Sequence, residues 1–135
     1  MPRQNLISAE VDNAVVTAAI QTINDTKAEF PYLLNLSAEE RKKFRKMGPK
    51  SVDYVNENLL GANQFPGSLP SDFPVEEFAN DVDAINKLYP LLVASQALTE
   101  ALNDTLLALS SDAMKEADEV YGFLKIASKR DANAK

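Results

Sequence analysis

From Val75 to Leu109 the apolar residues recur every three or four positions, and no stretch of the chain alternates apolar and polar with a period of two. Spacing of that kind puts apolar side chains on one face of an α-helix and leaves no candidate for a half-buried strand. Phe78, Val82, Ile85, Tyr89 and Leu92 form one seam. Leu91, Ser95, Leu98, Leu102, Thr105 and Leu109 form another, offset by a residue. Pro90 stands at the changeover. An interior proline lacks the N–H that the helix needs and costs about 3 kcal/mol, so a helix over 75–109 is expected to be kinked or broken there.

Three further helices are predicted around this one. Ser8 is an acceptable N-cap, with Glu10 and Asp12 behind it, and Val15, Val16, Ala19, Ile20 and Ile23 share a face; Pro31 ends the helix, giving a span of about 8–29. After an apolar elbow, Ser37-Ala38-Glu39-Glu40 has the order of a capping box and opens a second helix. Gly48-Pro49 then breaks or bends that helix, with Pro49 suited to the first position of a new one, and the inward seam continues through Val52, Val55, Leu59 and Ala62 to about residue 63. Phe65 to Pro74 holds three prolines in ten residues and is a connection, with Phe65, Leu69 and Phe73 lying against the helices. Ser110-Ser111-Asp112 reads as a turn and cap before a last helix to about residue 129, with Ala113, Ala117, Val120, Leu124 and Ala127 on its seam. The tail from about 130 to 135 is expected to fray. One inward stripe per helix and short connections predict an all-α fold, an up-and-down four-helix bundle of one domain over 1–135.

Composition excludes several chemistries. The chain has no cysteine and no histidine, so it offers no thiolate, no imidazole base and neither of the softer metal ligands. No metal set, cofactor fingerprint or nucleophile–base pair is found, and no enzymatic activity is expected. Di-iron sites in helical bundles need paired Glu-x-x-His motifs; the acids at Glu76, Glu77, Asp81 and Asp83, and at Glu116, Asp118 and Glu119, read instead as first-turn and surface groups. Tyr89 and Tyr121 on the seams read as packing residues. No apolar run suggests a leader or a membrane span, and a soluble cytoplasmic protein is expected.

Net charge is −6, but six of the fourteen basic residues sit in 41–50, a window without an acid. Arg41, Lys42, Lys43, Arg45 and Lys46 around Phe44 would suit nucleic acid only if the rest of the chain were not acidic and a binding motif were present; no nucleic-acid partner is expected. Within that window, Lys46, Gly48, Lys50 and Ser51 could form a small-anion site, with unpaired N–H groups at a helix opening on Pro49. The alternative is a bent helix with a solvated basic face.

The segments Gln4-Asn5-Leu6-Ile7-Ser8, Phe30-Pro31-Tyr32-Leu33, Glu39-Glu40-Arg41, Lys46-Met47-Gly48, Lys50-Ser51 and Asp104-Thr105 resemble an uncharacterised family of small bacterial proteins. The resemblance spans nearly the whole chain, and the Lys-Met-Gly-x-Lys-Ser run is its most specific part. It implies an all-helical bundle of this size. The family has no assigned activity, so no catalytic residue follows, and Pro49 stands where similar proteins often have Asp.

Phe123 and Ile126 point away from the Ala117–Leu124 seam by roughly 100° and 160°. Two covers are open: the chain's own arm at Leu6–Ile7, or a second chain. The apolar start favours the arm, and with it a monomer over a homodimer. The functional expectation is a non-enzymatic helical-bundle protein for interaction or assembly with a protein partner, the alternative being a small-anion or ligand-binding module at Lys46–Ser51.

Overall fold

The computed structural model describes residues 5–130. Gln4 of the family resemblance and the expected frayed tail beyond Arg130 lie outside the described residues. The described chain is all-helical, without a strand. Its elements are α1 (Asn13–Ala28), α2 (Ala38–Lys43), α3 (Pro49–Gln64), a 3-10 turn (Pro66–Ser68) and α4 (Val75–Arg130).

The four helices are not the four that the sequence suggests. α1 opens on Asp12 rather than Ser8: the Asp12 carboxylate accepts the Ala14 N–H at 2.8 Å, and its carbonyl accepts that of Val16 at 3.1 Å. Aspartate satisfies an orphan donor at least as well as serine and adds a negative charge at the positive end of the helix, so the later residue caps. At the other end the bonds tighten, with Glu29 donating to both Asp25 and Thr26 and Phe30 to Lys27, before Pro31 stops the ladder. The rings of Phe30 and Tyr32 meet edge-on at 6.1 Å across the elbow.

The capping box forms as its residues predict. Glu40 donates its backbone N–H to the Ser37 hydroxyl, and the Glu40 carboxylate accepts the Ser37 N–H, each at 3.2 Å. Of a break or a bend at Gly48-Pro49, the structure has the break. α2 stops at Lys43, Phe44 is extended (φ −90°, ψ 136°), and α3 starts afresh at Pro49. Gly48 takes φ −80° and ψ 176°, ordinary extended backbone, so it does not end a helix in the left-handed region. The reason lies in Pro49, whose ring pushes the residue before it out of the α region and suits the first position of a helix. Along α3, Val55 and Leu59 are half-buried and Ala62 is buried, as the seam expected there requires, but its first residue, Val52, is exposed.

The largest difference is α4. It runs for 56 residues, through Pro90 and through Ser110-Ser111-Asp112, where a turn is expected. Pro90 has no N–H for the Asn86 carbonyl, yet the helix does not end there. Across 109–113 the reason for continuity is the phase of the seams: Leu109 to Ala113 is one step of four, so both seams lie on one face of a single helix. Two serines and an aspartate each cost only some tenths of a kcal/mol more than alanine, too little to break the ladder.

The described chain divides into two units, one of Ile20–Val93 and one that joins the residues up to Ala19 with those from Ala94 onward. In the first, Ala62 and Val82 are buried, and the 3-10 turn lies against α3. Of the connection's apolar residues Leu69 is half-buried, while Phe65 is largely exposed. In the second unit the buried residue is not apolar at all; it is Asp112.

Candidate functional site

Asp112 is only 6% exposed, on a helix that leaves many large apolar side chains open to solvent. It is buried by the arm at the start of the described chain. Its two carboxylate oxygens accept the N–H groups of Leu6 at 3.0 Å and Ile7 at 3.2 Å. Two successive backbone donors of the arm thus meet the two oxygens of one carboxylate. Arm and helix together form an open cleft of about 470 Å³ whose walls include Ile7, Ala9, Leu109, Asp112, Ala113 and Glu116. Sequence reasoning missed this role. The signal was present: Asp112 is an acid at the edge of an otherwise apolar stripe, three residues after Leu109.

The arm therefore docks at Asp112, not over Phe123 and Ile126. The two residues are 64% and 52% exposed, and Phe123 lies eleven residues, or about 16 Å, further along the axis. Continuity of α4 also changes what surrounds them. Measured from Leu109, Phe123 sits about 40° away around the helix and so belongs to the stripe of Leu98, Leu102, Leu109, Val120 and Leu124; Ile126 borders it at about 100°. Val120, Tyr121 and Leu124 are exposed beside them. Tyr89 is exposed as well, so neither tyrosine is the packing residue that its seam suggests.

The basic turn is laid out differently from an anion cradle. A hollow of about 200 Å³ is lined by Arg45, Lys46, Met47, Ser51, Tyr54 and Val55, and neither Gly48 nor Lys50 contributes to it. Pro49 has no N–H, and the Ser51 N–H is already given to the Gly48 carbonyl at 2.9 Å. Lys46 and Ser51 thus meet at one hollow, while Lys50 stands apart on an exposed face.

Among the described residues no three carboxylates converge as a metal site. Of the acids at the start of α4, Asp83 pairs with Lys87 at 2.8 Å, and that hydrogen bond, with the attraction of the carboxylate, holds the Lys87 ammonium above its usual range. Both groups are exposed, so the pair is a surface feature. No described helix is long and apolar enough to cross a membrane. No protein-family model matches this chain, and neither a curated protein nor a solved structure does.

Proposed function

We propose that this chain is a non-enzymatic interaction and assembly protein of the cytoplasm, whose helices cover their apolar stripes by association. One observation carries the reading. Among the described residues two apolar side chains, Ala62 and Val82, are buried, while thirty large hydrophobic residues are exposed. Burying one such side chain is worth about 1.5–3 kcal/mol, and ordering each residue of backbone costs about 1–2 kcal/mol. A chain with so little buried apolar surface is stabilised only when something else covers its faces. The packing that such stripes favour is the up-and-down four-helix bundle, which we propose as the arrangement reached in the associated state. The family resemblance brings no activity to this reading; at the basic turn the Ser51 N–H is given to the Gly48 carbonyl and Lys50 stands apart from the Lys46–Ser51 hollow, which supports association over anion binding there.

The test is thermal unfolding of the purified chain over a hundredfold range of concentration, with mass measured by light scattering. Association that stabilises the fold makes Tm rise with concentration by several degrees, since each tenfold change in a binding partner is worth about 1.4 kcal/mol. A chain that needs a different protein melts broadly while alone. A monomer that melts sharply, at one temperature throughout, has its stripes covered internally and ends the reading.

A further inference from the structure

We infer that the occupant of the Phe123 face is a second copy of this chain, paired antiparallel about a two-fold axis at Phe123. The inference rests on the association reading above and names its partner.

The arm lies against α4 at Asp112, beside Leu109, and beyond Glu116 the stripe runs on exposed. Glu116, Phe123 and Arg130 are spaced by seven residues, with Glu119, Val120, Ile126 and Ala127 filling the steps of three and four between them. That is the spacing of a helix–helix seam, with a charge at each end and apolar residues in the middle. Val120, Phe123 and Ile126 are 54%, 64% and 52% exposed, and both end charges are exposed too.

Charge selects the direction. From Asp112 to Glu119 there are four acids and one lysine; from Lys125 to Arg130 there are three bases and no acid. A parallel, in-register pair would put Glu116 against Glu116 and Arg130 against Arg130. The antiparallel pair puts each Glu116 opposite the Arg130 of the other copy, sets Lys129 near Glu116 and Asp118, and opposes the helix dipoles. The contact is isologous: Phe123 meets Phe123 on the axis, and both ends carry the same ion pair.

Sedimentation of the full chain tests this. The unaltered chain is expected to dimerise in the micromolar range, as suits a short, single-helix contact, and to be a dimer at about 100 µM. Phe123→Asp should give a monomer that melts several degrees below the unaltered chain. Glu116→Arg and Arg130→Glu, both at exposed positions, should each weaken the dimer about tenfold by placing like charges together at both ends. The double variant should recover it, and an equimolar mixture of the two single variants should form a heterodimer in preference to either homodimer. An unaltered chain that stays monomeric at about 100 µM overturns the inference. A dimer indifferent to both reversals overturns it too, but leaves association standing. A monomer that also melts sharply and independently of concentration removes both.

Discussion

Asp112 shows how much a single side chain can decide. In a helix interior an aspartate is a mild liability, and its natural reading is a cap or a turn. Here its carboxylate accepts the Leu6 and Ile7 N–H groups, and the arm is held by those two bonds. Hydrogen bonds to a charged group are worth about 1.5–3 kcal/mol each, so Asp112→Ala should release the arm and leave α4 intact. Amide exchange at Leu6 and Ile7 is the readout: protected in the unaltered chain, and at least tenfold faster in the variant. Protection that survives the substitution would mean that apolar contact at Ile7, not the carboxylate, holds the arm. Gly48 teaches the opposite lesson. Its backbone is ordinary and a Cβ there would meet nothing within 4 Å, so the break in the chain belongs to the proline after it.

Among the elements, α4 is where local signals and the observed structure part. Ser110-Ser111-Asp112 has turn composition, but the seams on either side share one phase, and phase is the stronger physical constraint. The two alternatives respond differently to Ser110→Pro. A turn would accept the ring with little loss. A helix interior loses the bond to the carbonyl four residues earlier and gains a clash, about 3 kcal/mol or more. Loss of helical circular dichroism and a lower melting temperature are therefore expected, and an unchanged melt would place a turn at 110–112. Pro90 shows that the length of helix around a proline can outweigh its cost, since α4 continues on both sides of it. The opposite outcome at Pro49 follows from position: there the ring enters at a helix start, where no N–H is needed.

At the scale of the molecule the governing fact is exposed apolar surface. Soluble monomers rarely leave contiguous apolar faces open, and a stripe uncovered from Val120 to Ile126 is the kind of surface that marks an interaction site. It follows that dilution should uncover it. A dye that fluoresces on apolar surface should bind little at concentrations where the chain is associated, and several-fold more per chain on dilution through the association range. Binding that is constant per chain across that range would count against coverage by association.

The amino-acid sequence by itself determined the helical class, the capping box at Ser37 and Glu40, the start of α3 at Pro49 and the inward seam of Val55, Leu59 and Ala62. Each depends on residues within a turn or two of one another, where side-chain spacing and backbone sterics suffice. It also pointed to Phe123 and Ile126 as apolar residues in need of a cover. Only the tertiary structure decided where the arm goes, because Leu6 and Asp112 are 106 residues apart and no local pattern couples them. It also showed which of two competing local signals wins at the α1 cap and across 110–112, where the alternatives are of nearly equal local free energy.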